Sequence, residues 1–405
     1  MGRTQAWWTA PRRHPVLWAT AAILVVALAA GGIVVATRSP APPAHRPPST
    51  RAVALGDSVP YGHGLANPYP TPQLGLPPGA VSEGPSTLAY PSLVAHDLRL
   101  SMSVRPTNCR LVGDQLAISG AVADPSDNRS RDGQCPVPPQ QARNLDDEIA
   151  AAGLAQHPAK VVLIQDGADD IHFSACLENE LARVAGVGIG LGTPCLVGGH
   201  PTAALTTELA RVRSSLAHAI ETVAPHAGTV AVLDYYQPVP APGEIASGAR
   251  ESGLHTNLVC AGLSPNAAGV DAAAQLVLGK LNAAVAGAVD QARAHHVTNV
   301  RLVDVATVFD GHGMCTADPW VFSGEPLPDT TLAADAEHIV AAKACGGTDA
   351  LRLPVPCASL VAASRAAEQD LEGYVWRAAH PTAAGQRALA AAVVAAVGAE
   401  LPRRR

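Results

Sequence analysis

The chain has 405 residues, of which 48% are hydrophobic and 15% charged, and its formal net charge is -6. Length and apolar content suffice for a sizeable core in one large domain or two small ones. The slight acidity, with lysine only at Lys160, Lys280 and Lys343, excludes a basic surface for nucleic acid.

In chain order, residues 1–15 read as a cytoplasmic tail. Arg3, Arg12, Arg13 and His14 precede the uncharged apolar run Val16–Thr37, and only Arg38 follows closely. At about 1.5 Å per residue, residues 16–37 can span a hydrocarbon core of roughly 30 Å. They read as a transmembrane helix or signal anchor; the alternative is a signal peptide cleaved near Leu28-Ala29-Ala30. Either reading exports the remainder. Residues 38–50 are Pro-rich and predict a stiff, extended linker. No later segment reads as spanning.

Residues 51–405 form the domain. Apolar runs predict strands at Arg51–Leu55, near Ser101–Arg105, and at Lys160–Ile164, Thr229–Leu233 and Asn299–Val305. Helices are predicted over Tyr90–Leu100, Gln141–Leu154, Thr202–Val223, Asn266–His295 and Ala383–Val397. The alternation argues for a parallel sheet with helices on both faces. Long loops interrupt it at Pro60–Leu88, Ala121–Pro139, Tyr236–Leu263 and Phe309–Glu372, and such loops carry function or disulfides.

The chain has 8 cysteines, all after the linker. An even number in an exported domain reads as disulfides. Neighbour pairing suggests Cys109–Cys135 and Cys176–Cys195. Among the last four, Cys260–Cys315 and Cys345–Cys357 are one choice of several.

Ligands of open parallel sheets bind beyond the carboxyl ends of the strands. Three loops meet there: Gly56-Asp57-Ser58 after the first strand, Gly120 after Leu116-Ala117-Ile118, and Asp166-Gly167-Ala168-Asp169-Asp170 after Val161-Val162-Leu163-Ile164. Alone, Gly-Asp-Ser has two readings. Asp or Ser caps a helix, or the Ser hydroxyl stands exposed at the sheet edge.

The set ALGDSVPYG around Ser58, ISGA around Gly120, DGADDIHF around Asp169 and HPTAAGQ from His380 resembles the SGNH (GDSL-type) serine hydrolases over essentially all the chain after the linker. The resemblance implies a flavodoxin-like three-layer α/β/α sandwich with a central parallel sheet, and ester hydrolysis without metal or other cofactor. It implies Ser58 as nucleophile and His380 as general base, then acid. A Ser hydroxyl needs such a base, and neutral imidazole suits the role. The oxyanion falls to the backbone amides of Ser58 and Gly120 and to the position of Asp169. His200-Pro201-Thr202-Ala203-Ala204 repeats the HPTAA pattern. His380 is preferred because it precedes the last helix and continues as Gly385-Gln386.

Two positions depart from the family. The third block normally carries Asn, but Asp169 stands there, and a carboxylate cannot donate. Either Asp169 acts as a neutral acid beside Asp170, or it is a loop residue bonding local amides. The family's Asp three residues before the His is replaced by Arg377, whose backbone carbonyl is the expected orienter of the imidazole; Asp370 and Glu372 are lesser alternatives. Asp169, Asp170 and His172 also form a weak metal-ligand set, and no metal is expected. Trp320, Phe322, Tyr374 and Trp376 are candidates for an acyl pocket or for plain core.

The leading expectation is therefore a monomeric, membrane-tethered exported ester hydrolase acting on a lipid, a small ester or an acylated envelope carbohydrate. The alternative is a catalytically weak or inactive protein of the same fold that binds lipid or glycan.

Overall fold

The strand expected from Arg51 forms as β1, Ala52–Gly56, and each of its residues is buried. In this computed structural model the described residues are 49–65, 86–104, 114–117, 122–123, 144–184, 195–245, 251–252, 255–256, 258–323, 327–328 and 378–399. The chain divides into two units, Met1–Pro48 and Ser49–Arg405, and every described residue belongs to the second. The expected membrane segment lies outside the described residues.

Beside β1 run β2 (Ala159–Gln165), β5 (Ala227–Leu233) and β8 (Val300–Val303), in the order β1-β2-β5-β8. All neighbours are parallel, with Ala54 opposite Leu163, Val162 opposite Val230 and Val232 opposite Leu302. The near-continuous apolar runs of the inner strands reflect burial on both faces. On the other side of β1, isolated parallel bridges join Arg51 to Ser101 and Ala54 to Gln115. The strand expected near Ser101–Arg105 is thus present as a single bridge at Ser101, and the second bridge falls beyond it at Gln115. Counting them, the sheet positions read 2-1-3-4-5 in chain order. Chain direction across the sheet reverses at β1, which opens a crevice at the strands' carboxyl ends.

The helices are α1 (Ser58–Tyr61), α2 (Tyr90–Asp97), α3 (Leu145–Ala152), α4 (Phe173–Val184), α5 (Ala203–Val223), α6 (Leu258–Ala294) and α7 (Ala383–Val397). Local chemistry sets their ends. Asn144, Thr202 and Thr382 cap α3, α5 and α7 by accepting backbone N–H groups with their side chains. Two packing groups result: α2 with α7, and α5 and α6 with α3 and α4.

Two features differ from expectation. The helix expected from Asn266 starts at Leu258 and passes through Pro265, which reads in sequence as a boundary. Its first turn is fastened by the Cys260–Cys315 disulfide to the loop after β8. By length and composition Ala267–Ala294 would pass for a membrane span. Within the domain half of its most apolar window is buried, and α6 packs on α4, α5, β5 and β8. The second feature is α4, which the sequence reading lacks. The expected Cys176–Cys195 disulfide ties it to the hairpin of β3 (Leu196–Val197) and β4 (His200–Pro201). Cys109, Cys135, Cys345 and Cys357 lie outside the described residues. A small antiparallel sheet of β6 (Glu251–Ser252), β7 (His255–Thr256) and β9 (Leu327–Pro328) completes the strands among the described residues.

The Cys260–Cys315 bridge closes a sequence separation of 55 residues, a loop whose closure is worth about 4 kcal/mol through the unfolded chain. Cys260→Ser with Cys315→Ser should therefore lower stability by up to that amount. The check is the urea midpoint of the full chain; an unchanged midpoint would contradict the bridge's role.

Candidate active site

The polypeptide turns sharply after β1 because Gly56 adopts φ +125°, and a Cβ there would lie 1.9 Å from the Gln165 carbonyl oxygen. Only glycine fits. The Gly56 N–H donates to Glu148 Oε2 at 2.6 Å and the Asp57 N–H to the Gln165 carbonyl at 3.0 Å. Asp57 then caps α1: its Oδ1 accepts the Val59 N–H at 3.0 Å. Both readings of Gly-Asp-Ser are thus realised. Asp57 is the cap, and Ser58 emerges half-buried on the first turn. The turn closes at left-handed Gly62, whose N–H donates to the Ser58 and Val59 carbonyls.

His380 meets this Ser from the other end of the chain. Its Nε2 lies 2.8 Å from Ser58 Oγ. Its Nδ1 lies 3.1 Å from the Ala378 carbonyl. A proton on Nδ1 donated to that carbonyl leaves the Nε2 lone pair to accept the Ser58 hydroxyl, as a general base requires. The carbonyl that meets Nδ1 is that of Ala378; Arg377, whose carbonyl is the expected orienter, lies outside the described residues. The Ala378 contact has a local cause. Ala379 is left-handed, with φ 68°, so the chain reverses between residues 378 and 380 and turns the Ala378 carbonyl toward the ring.

The histidine loop is fastened from several sides. The Phe322 N–H donates to the His380 carbonyl at 2.8 Å, the Ala379 N–H to the Phe322 carbonyl at 3.1 Å, and the Thr382 N–H to the Trp320 carbonyl at 2.8 Å. Tyr236 donates its hydroxyl to the Ala379 carbonyl at 2.8 Å. The Gly385-Gln386 continuation also has a physical role. A Cβ on Gly385 would lie 2.2 Å from the Trp320 carbonyl oxygen. Buried Gln386 accepts the Tyr90 N–H at 2.7 Å and donates to the Val59 carbonyl at 3.1 Å, tying α7 to α2 and α1.

The other expected residues fall out as follows. His200 is exposed on the β3–β4 hairpin and His157 in the turn before β2. Asp169 is half-buried in the turn after β2, where its carbonyl accepts the His172 N–H at 3.1 Å. Asp170 is buried and accepts the Ala123 N–H at 2.9 Å. Trp320 stacks on His312 at 3.8 Å and meets Phe309 edge-on at 6.1 Å. Gly120, Asp370, Glu372, Tyr374 and Trp376 lie outside the described residues.

No protein-family model and no curated protein matches the chain. Among solved structures it is similar to an extracellular lipase from Streptomyces rimosus, at 18% identity over 86% of this chain and 100% of that one, with a TM-score of 0.40. It is also similar to Axe2, an acetylxylan esterase from Geobacillus stearothermophilus, at 14% identity over 86% of this chain and 94% of that one, with a TM-score of 0.34. Identity and TM-scores this low leave the chemistry to be read from the site itself.

Several site residues carry no sequence signal. His63 is buried, and its ring centroid is 4.4 Å from that of His380. Its N–H donates to the Ser58 carbonyl at 3.0 Å. Tyr235 donates its hydroxyl to Asp57 Oδ2 and accepts the Ala168 N–H at 3.2 Å. Behind the Ser turn, Asp57, Glu148, Asp166 and Asp170 are all buried. Burial pushes the Asp57 carboxyl from the ordinary 3.8 up to about 6; the bonds from Tyr235 and Val59 pull it back, and the Asp170 charge adds to the rise. Asp166 is pushed well up, by burial first and then by the charges of Asp170, Asp57, Glu148 and Asp169.

This arrangement fixes a sign. A carboxyl whose folded pKa exceeds its unfolded one holds its proton more tightly when folded. Its contribution to stability is fully present below about pH 4 and is lost as pH rises through about 6. Each unit of the difference corresponds to roughly 1.4 kcal/mol. Asp57→Asn keeps a capping oxygen and cannot titrate. Its stability relative to wild type should rise between pH 4 and pH 7, read as the difference in thermal midpoints. A difference that stays constant with pH would place the Asp57 carboxyl at its ordinary value.

Proposed function

We propose that the chain is an exported serine ester hydrolase of the SGNH type, built as a flavodoxin-like three-layer sandwich and tethered to the membrane by residues 16–37. One observation carries this reading: Ser58 Oγ and His380 Nε2 stand 2.8 Å apart, although 322 residues separate them in sequence. The Nδ1 contact with the Ala378 carbonyl supports the tautomer that a base needs. The two disulfides favour an oxidising compartment.

In this reading His380 takes the Ser58 proton as Oγ attacks the acyl carbon, and returns it to the leaving alcohol. Water then repeats the sequence on the acyl-enzyme. A backbone carbonyl fixes the ring but stabilises the imidazolium less than a carboxylate. The oxyanion is held by the amides of Ser58 and Gly120. Asp169 contributes only in its neutral form, because a carboxylate has no proton to give. The substrate class is an acyl ester of a lipid, a small alcohol or an envelope carbohydrate.

The full chain should hydrolyse p-nitrophenyl acetate and take up a fluorophosphonate on Ser58. Ser58→Ala and His380→Ala should each lose on the order of 10³-fold or more in kcat/KM, while His200→Ala keeps wild-type activity. Hydrolysis that survives in Ser58→Ala would refute Ser58 as the nucleophile, and absence of both hydrolysis and labelling in the wild type would favour a lipid- or glycan-binding protein. Asp169→Asn supplies a fixed donor and should raise kcat severalfold, since a single oxyanion donor is worth about 10²–10³. An unchanged kcat would put Asp169 outside the hole.

A further inference from the structure

We propose that Tyr235 and Tyr236 act as a pair of positioning residues that set the distance between Ser58 and His380, one tyrosine holding each partner. The inference rests on the serine hydrolase reading above. The two residues follow Asp234 at the end of β5. Consecutive side chains of an extended segment point to opposite sides, and here they reach the two halves of the site. Tyr235 donates to Asp57 Oδ2, on the residue before Ser58. Tyr236 donates to the carbonyl of Ala379, the residue before His380.

The pair has a rigid base. Asn282 of α6 accepts the Tyr235 N–H at 2.9 Å and donates to its carbonyl at 2.7 Å. The Tyr236 ring packs on Phe309 with centroids 4.2 Å apart. Both tyrosines are 4% exposed. Burial, reinforced by the Asp57 charge, pushes both phenols well above their ordinary range, so both remain donors.

Each bond acts on a point of leverage. Asp57 caps the turn that carries Ser58, and Tyr235 Oη also accepts the Ala168 N–H from the loop after β2. One hydroxyl therefore fixes the Ser turn relative to that loop. Ala379 is the left-handed residue that aims the Ala378 carbonyl at His380. A side-chain-bearing residue in that conformation persists only where its surroundings enforce it, and the Tyr236 hydroxyl is one of the groups that do so. Neither tyrosine is assigned a contact with substrate, so their effect passes through the Ser–His distance. Misplacing reacting groups by about 1 Å costs on the order of 10²-fold, and loss of one supporting bond should cost less.

The test uses the full chain with Tyr235→Phe, Tyr236→Phe and Ser58→Ala. Each Phe variant keeps its ring and loses only the hydroxyl. With p-nitrophenyl acetate, each should lower kcat about tenfold and keep KM within about twofold. The rate constant for fluorophosphonate labelling of Ser58 should fall by the same factor. Wild-type kcat in either Phe variant, or a raised KM at unchanged kcat, overturns the paired role. So does failure of both variants to fold, which would make the tyrosines structural. Ester hydrolysis retained in Ser58→Ala overturns the reading of Ser58 as nucleophile itself, whatever the tyrosine variants do.

Discussion

The site depends on a contact that has no side chain in it. At the end of β1 the Gly56 α-carbon presses against the Gln165 carbonyl of β2 with no room for a Cβ. This contact lets the first strand stop one residue before a polar turn without losing its place beside the second. The turn's N–H groups are then met by Gln165 and Glu148, and Asp57 is free to cap α1. With a side chain at 56, β1 and β2 would have to part at the point where Ser58 is presented. Everything that addresses Ser58 presumes this close approach.

Around it the protein buries several carboxyls and phenols within a mostly apolar core. Such groups are costly to bury unless bonded, and Asp57, Glu148, Asp166 and Asp170 each accept a backbone N–H. Asp57, Asp170 and Glu148 each satisfy an amide of a loop at the strand ends. The cluster therefore orders the loops from beneath. Its mutual repulsion is tolerated because the same groups supply acceptors to backbone that no regular ladder reaches.

Much of this was legible in the sequence. Continuous apolar runs marked the inner strands, and a strand ending at Gly-Asp-Ser, with His380-Pro381 before the last helix, marked Ser58 and His380. Gly385-Gln386 separated His380 from its look-alike at His200, and Gln386 turns out to bond to the helix that carries Ser58. What was not legible depends on register or on backbone angles. Tyr235 reaches Asp57 across 178 positions, a pairing that no local pattern encodes. Ala379 gives no hint of its positive φ, because alanine rarely adopts it, and the contact of the imidazole with the Ala378 carbonyl follows from that angle. Pro265 reads as a helix boundary, yet α6 passes through it where a disulfide fastens the first turn.

The separation of Ser58 and His380 along the chain has a consequence for biogenesis. Ser58 is made long before His380 and before the Gln386 amide that bonds to the Val59 carbonyl. A nascent chain still on the ribosome, or one clipped ahead of residue 380, therefore displays Ser58 without the imidazole that meets it. The contact on which the proposed ester hydrolysis rests is completed only after 322 further residues.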